Sequence, residues 1–241
     1  MAQHISRKEL KRNELAEVVT HGAEAVAAHQ RLTWIIAGSV LAVLLAVFGW
    51  RYYSQRQTAR ATVEFDAAMR VYEARIRAPG EAAVAGEVTY VDEKNKFTDA
   101  AKHFSDAAAK YPRTRPGQMA RYYAGLSLAQ MDRNEEAEKE LKAVESSGDE
   151  VLAPLARFQL AQLYDKTNRA DQALQLYQQL ADKPTEFVPR PVVLLKMADH
   201  YSQRNPQEAA KLYNQVKEEF PDSAAAQAAD QGLQLLPPAK T

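Results

Sequence analysis

Hydrophobic and polar positions divide the chain into one continuous apolar stretch and a longer series of amphipathic segments. The apolar stretch runs from Leu32 to Trp50, carries no charged residue and lies between Arg31 and Arg51. A helix of that length rises roughly 28 Å, which is close to the ~30 Å hydrocarbon core of a bilayer. The pattern therefore predicts a single transmembrane helix over residues 32–50.

Aromatic side chains mark the two ends of this predicted helix. Trp34 lies near one end, and Trp50, Tyr52 and Tyr53 lie at the other. Because amphipathic rings settle at the headgroup level, all four are predicted membrane-interface anchors. A cleaved signal peptide is the alternative interpretation. The long preceding segment, the length of the apolar run and the lack of a small-x-small cleavage pattern from Phe48 to Tyr53 favour a retained anchor instead.

Residues 1–31 are predicted to form an amphipathic segment, in which apolar side chains recur among charges (Leu10, Leu15, Val18, Val19 and Val26). Such a helix either lies along the membrane surface or docks to a cytosolic partner. Lys and Arg number five in residues 1–31 and four in residues 51–70. This difference weakly favours a cytoplasmic N-terminus.

Beyond the apolar stretch, one pattern occurs four times: an alanine, a large apolar residue four positions later and a further apolar residue three beyond it. The copies are Ala100, Phe104, Ala107; Ala137, Leu141, Val144; Ala173, Tyr177, Leu180; and Ala209, Tyr213, Val216. Successive copies are spaced by 37, 36 and 36 residues. A period in the mid-thirties is typical of an α-solenoid of helix pairs.

Prolines and small residues indicate where the two helices of each pair lie. Pro112, Pro184 and Pro221 follow three of the copies, where a proline ends a helix. Upstream, small and aromatic residues recur in phase: Ala124, Gly125, Leu128; Leu160, Ala161, Tyr164; and Met197, Ala198, Tyr201. Small residues let paired helices approach closely. At these positions the sequence resembles the tetratricopeptide repeat.

The predicted fold is all-α, with one transmembrane helix followed by an α-solenoid of tetratricopeptide-like helix pairs over residues 51–236. Helices are predicted over about 55–77, 96–110, 115–131, 134–146, 150–166, 169–181, 189–203 and 206–219, with 222–235 as a cap. The apolar spacing of Phe65, Met69, Tyr72 and Ile76 predicts that these side chains face the second helix. Residues 79–94 are predicted to form a long loop, and residues 237–241 a tail.

Composition narrows the classes of function. The 241 residues include 31 basic and 31 acidic side chains and no cysteine. Balanced charge gives no electrostatic basis for binding nucleic acid, and the lack of cysteine excludes a disulfide framework, a thiol nucleophile and cysteine-ligated zinc.

Candidate catalytic residues are also lacking in the sequence. Its five histidines are scattered (His4, His21, His29, His103 and His200), and zinc-protease, serine-hydrolase and nucleotide-binding motifs do not occur. We interpret His103 and His200 as surface or half-buried structural histidines. The sequence thus predicts a non-enzyme with no cofactor, no metal and no small-molecule substrate.

Stacked helix pairs offer a groove lined mainly by the first helix of each pair. The predicted groove positions are Met119, Tyr122, Leu126, Leu155, Phe158, Gln162, Asp165, Val192, Leu195 and Asp199. Tyr122 and Phe158 would take apolar anchors of a helix or extended peptide, while Gln162 and Asp199 supply hydrogen bonds. The alternative is that several of these side chains belong to the core. Because the positions are mostly apolar or acidic, apolar or helical partners are favoured over a carboxylate-bearing tail.

A closer resemblance begins where Gly49 to Tyr53 (GWRYY) is followed by a polar turn, an Ala-rich helix and the repeat-like pairs. This arrangement resembles the ancillary subunit of the SecYEG translocon, the YfgM-like family of bacterial inner-membrane proteins. The resemblance implies a cytoplasmic N-terminus, a periplasmic repeat domain and association with translocon subunits, a membrane-bound periplasmic chaperone and exported polypeptides. Two alternatives stay open: a scaffold for another envelope complex, in outer-membrane assembly or cell division, and a cytosol-facing adaptor of inverted topology.

Overall fold

The computed structural model describes residues 30–82 and 84–237, which divide between Arg56 and Gln57 into two units. The predicted amphipathic segment of residues 1–31 lies almost entirely outside the described residues, as does the predicted tail after residue 237.

The first unit consists, in its described part, of the beginning of helix α1, which spans Gln30–Tyr72. Its apolar part is long enough and apolar enough to cross a membrane. The predicted anchors Trp34, Trp50, Tyr52 and Tyr53 are all exposed, by 71%, 68%, 51% and 59%. Exposed apolar surfaces of this size are typical of sites that contact a membrane or a partner protein.

The second unit contains the end of α1 and, within the described residues, eight further helices. They are α2 (Glu93–Lys110), α3 (Arg115–Gln130), α4 (Asn134–Glu145), α5 (Leu152–Lys166), α6 (Ala170–Asp182), α7 (Arg190–Tyr201), α8 (Pro206–Glu219) and α9 (Ala224–Leu235). Consecutive helices pack against one another. The predicted architecture of an apolar N-terminal helix followed by tetratricopeptide-like repeats is confirmed.

Two short strands interrupt the helical pattern between α1 and α2. Strand β1 (Arg75–Ile76) pairs in parallel with β2 (Thr89–Tyr90), and the Arg77 N–H extends the ladder to the Tyr90 carbonyl at 2.8 Å. The prediction of helix to residue 77 is therefore wrong, and Ile76 lies in a strand. Apolar spacing could not reveal this, because the competing hydrogen bonds come from residues far along the predicted loop.

Side-chain caps and left-handed residues set the helix ends. Thr114 and Ser223 cap α3 and α9 by accepting hydrogen bonds from the Gly117 and Ala226 N–H groups, each at 3.1 Å. The turns after α3 and α5 each contain a residue with positive φ, Asp132 at 58° and Asn168 at 60°. Asp and Asn tolerate this conformation better than other non-glycine residues, so both helices can end sharply at the same point of the repeat.

The repeated pattern lies in the core of the repeat domain. All twelve residues of the four copies are buried: Ala100, Phe104, Ala107, Ala137, Leu141, Val144, Ala173, Tyr177, Leu180, Ala209, Tyr213 and Val216. Gly125 shows why a small residue faces α4, because an added Cβ would lie 2.8 Å from Leu141 Cγ. The repeat register therefore fixes which face of each helix is turned inward.

Candidate functional site

The predicted groove positions lie on the first helices of three successive pairs. They are Met119, Tyr122 and Leu126 on α3, Leu155, Phe158, Gln162 and Asp165 on α5, and Val192, Leu195 and Asp199 on α7. Val192 and Asp199 are exposed, Tyr122 is buried and the others are half-buried. We call this set, without Tyr122, the first-helix row.

Tyr122 belongs to the core and not to the row. Its side chain is only 8% exposed, and its ring meets Tyr123 edge-on at a centroid distance of 5.5 Å. Burial raises the pKa of the Tyr122 hydroxyl to about 12. Almost none of this ring is accessible to a partner. The expectation that Tyr122 takes an apolar anchor is therefore corrected.

The apolar members of the row combine packing with exposure. Met119, Leu126, Leu155, Phe158 and Leu195 all pack against the core while part of each side chain faces solvent. The Phe158 ring lies 6.1 Å from the Tyr177 ring in an edge-on arrangement. These side chains are held in place by the core, which reduces the conformational entropy lost when a partner covers them.

The polar members of the row meet at an open cavity of about 520 Å³ between α5 and α7. Its lining unites the predicted residues Gln162, Asp165 and Asp199 with residues that the sequence analysis did not single out as binding residues: Tyr177, Lys196, His200, Gln203 and Arg204. The apolar members of the row lie outside this lining. The row therefore has an apolar part and a polar part.

Asp165 has two neighbours in the cavity. The His200 Nδ1 contacts Asp165 Oδ1, and the Tyr177 side chain lines the same cavity as this carboxylate. Burial raises the pKa of Tyr177, and the Asp165 charge raises it further. The His200 side chain is only 1% exposed, so the expectation of a surface or half-buried histidine is corrected to a buried one that joins α7 to α5.

Asp199, one repeat later, accepts hydrogen bonds from two side chains. Tyr213 donates to Asp199 Oδ1 at 2.7 Å, and the Lys196 ammonium donates to Oδ2 at 3.0 Å. The Arg204 guanidinium donates to the His200 carbonyl at 3.2 Å. Both carboxylates of the cavity thus have donors within the protein, while Lys196, Arg204 and Gln203 keep further N–H groups for a bound segment.

A second open cavity, of about 550 Å³, lies at the turn between α3 and α4 and the start of α6. Its charged groups largely pair with each other, as Arg133 with Glu136 and Arg169 with Glu138, each at 2.7 Å. Glu138 also accepts from the Tyr164 hydroxyl at 3.0 Å. The contacts of Glu138 join neighbouring repeats, and we interpret this cavity as structural.

Metal-ligating groups do not gather anywhere in residues 30–82 and 84–237: no three His, Asp or Glu side chains there stand close enough to hold an ion. His200 and Asp165 form a histidine–carboxylate contact of the kind that activates a nucleophile in hydrolases. Within the described chain, however, no Ser, Thr or Lys side chain is hydrogen-bonded to His200. The side chains that line the polar cavity can donate and accept hydrogen bonds.

Comparisons with known proteins extend this description. A family model described as a tetratricopeptide repeat-like domain matches residues 27–188, which is more than half of the chain. A model of the tetratricopeptide repeat itself matches residues 192–223, which include most of α7 and all of α8. No curated protein and no solved structure matches the chain significantly.

Proposed function

Because the chain belongs to the tetratricopeptide repeat-like domain family, whose domains serve as scaffolds for protein partners, we propose that it is a membrane-anchored, non-catalytic interaction subunit. In this proposal the apolar part of α1 anchors the chain in a bacterial inner membrane. The repeat domain, over residues 51–236, then binds segments of partner proteins along the first-helix row.

The observation that carries the proposal is the division of the row into an apolar part and a polar part. A partner helix or extended segment could place apolar side chains against Phe158 and Leu195 and polar groups in the neighbouring cavity. Both parts are positioned by buried contacts, so the surface is preorganised for binding.

We further propose that its partners are translocon subunits, a periplasmic chaperone and exported polypeptides. Support comes from the resemblance carried by Gly49 to Tyr53 and from the predicted topology, with a cytoplasmic N-terminus and a periplasmic repeat domain. A reporter enzyme fused after Thr241 tests this topology. Activity confined to the cytoplasm would overturn it and would favour the cytosol-facing adaptor.

The proposed function is tested by photocrosslinking in membranes. A crosslinking amino acid replaces the half-buried Phe158 of the row, and in a control it replaces the exposed Gln175 on α6, outside the row. Adducts with translocon subunits, a chaperone or exported chains at position 158 alone would support the proposal. Adducts confined to outer-membrane or cell-division factors would favour the general scaffold, and equal adducts at both positions would overturn the row as the binding surface.

A further inference from the structure

The chain carries an uneven distribution of charge around the apolar stretch. Between Glu24 and Glu64 the sequence contains no acidic residue, while arginines stand at positions 31, 51, 56 and 60. Arg51 and Arg56 follow directly after the apolar stretch, on the first six residues of helix beyond Trp50. The end of the predicted membrane helix is therefore strongly basic.

Neither arginine is neutralised by the protein. Arg51 and Arg56 are exposed, and neither forms an ion pair with any residue that the structure describes. Six other arginines of the described chain have a carboxylate partner, as Arg75 has Glu81 at 2.8 Å. Two uncompensated guanidinium groups on one short segment indicate a ligand with negative charge.

The geometry directs these groups toward the apolar stretch. Side chains on a helix tilt toward its N-terminus, which here is the apolar end. The Arg56 guanidinium accordingly lies 4.6 Å from the centre of the Tyr52 ring, one turn nearer the apolar residues than its own Cα. Tyr52 and Trp50 are themselves residues of the type that settles at the headgroup level.

We propose that Arg51 and Arg56 bind the phosphate groups of acidic phospholipids around the membrane helix. Guanidinium groups donate two parallel hydrogen bonds to a phosphate, and basic residues close to a membrane are attracted by its anionic lipids. This inference rests on the membrane anchoring in the proposed function. It adds a preference for the kind of lipid that surrounds the anchor.

The two tryptophans of the chain make a direct test possible. The variant W34F leaves Trp50, adjacent to Arg51, as the only tryptophan. The full-length protein is reconstituted in vesicles of phosphatidylcholine and phosphatidylglycerol. Bromine, which quenches tryptophan fluorescence on contact, is placed on the acyl chains of one lipid or of the other. The ratio of the two quenching levels measures which lipid is enriched beside Trp50.

The expected result is stronger quenching by brominated phosphatidylglycerol, an enrichment of up to about fivefold per arginine that falls as salt screens the charges. The preference should disappear in R51Q/R56Q. It should persist in K102Q/K139Q, which removes the same charge from exposed positions on α2 and α4.

The contrary results are distinguishable. Equal quenching by the two brominated lipids, or a preference that survives in R51Q/R56Q, would overturn the lipid assignment and leave the membrane anchor intact. No quenching by either lipid would show that Trp50 does not contact acyl chains and would overturn the anchoring itself. Quenching of R51Q/R56Q by brominated phosphatidylcholine serves as the control that this variant still inserts.

Discussion

The Tyr213 hydroxyl donates a hydrogen bond to Asp199 Oδ1 at 2.7 Å and thereby ties α8 to α7. Tyr177 on α6 and Asp165 on α5 stand at the equivalent place one repeat earlier and line the polar cavity. The two tyrosines occupy the same position of the repeated pattern, 36 residues apart. Tyr213 fills the core of its helix pair and also holds, through its hydroxyl, a carboxylate that lines the polar cavity.

The first prediction concerns this hydrogen bond. Y213F keeps the ring in the core and removes the donor, so we expect the free energy of unfolding to fall by about 1 kcal/mol, since the exposed Asp199 can turn to water. Urea unfolding of the full chain in detergent, followed by circular dichroism, measures this loss. In the double variant Y213F/D199A the two losses should not add; full additivity would show that the bond contributes nothing.

A second prediction concerns the close approach of α3 and α4. In G125A the new Cβ would meet Leu141 at 2.8 Å from Cγ and 3.0 Å from Cδ2. Overpacking of this kind lowers the free energy of unfolding by about 1–3 kcal/mol. We expect this loss to exceed the gain in helix propensity that alanine normally brings in place of glycine. We therefore expect G125A to have a lower midpoint of thermal unfolding than the natural protein. G49A is the matched control, because nothing lies within 4 Å of its added Cβ, and it should not lower the midpoint.

The third prediction is a pH dependence that arises from Glu138. Burial raises the pKa of this carboxyl, but hydrogen bonds from Lys142, Arg169 and Tyr164 outweigh that effect and lower the pKa below 4.5. The folded protein therefore binds this proton less readily than the unfolded chain. The stabilisation is complete above about pH 4.5 and is lost as the pH falls through the lowered pKa.

We therefore expect E138Q to be less stable than the natural protein at pH 7, by about 1–2 kcal/mol, because charge-assisted hydrogen bonds to partly exposed partners are lost. The difference should shrink as the pH falls below about 4.5. Denaturant unfolding at a series of pH values measures it. E135Q, on the exposed face of the same helix, is the control; a gap for E138Q that stays constant with pH would contradict this assignment.

A fourth prediction separates binding from stability. F158A removes an aromatic member of the first-helix row and should reduce the yield of partner copurified with the full-length protein at least several-fold. Phe158 also packs against the core, so some stability is lost as well. L176A is the matched control, because Leu176 packs against the same core from α6, outside the row. Equal loss of partner in the two variants would attribute the effect to folding alone.

By itself the sequence determined the helical architecture and the inward face of each helix. Two signals can be read from the sequence alone: the uncharged stretch from Leu32 to Trp50 and the recurrence of residues such as Ala137 and Leu141. Because an apolar stripe that recurs every 36 or 37 residues is buried, only one register is left for the stack of helix pairs. Prolines such as Pro112 and Pro221 marked the ends of helices equally well, because a proline acts within a few residues of itself.

Only the tertiary structure decided which side chains meet across helices. The strand pairing that ends α1 before Ile76, the burial of Tyr122 and the contact of His200 with Asp165, 35 positions away, depend on how each helix is rotated and spaced against its neighbours. Periodicity specifies a face of about a third of a helix, which is too coarse to tell a core position from the adjoining rim. The hydrogen bonds of the polar cavity follow from that finer geometry.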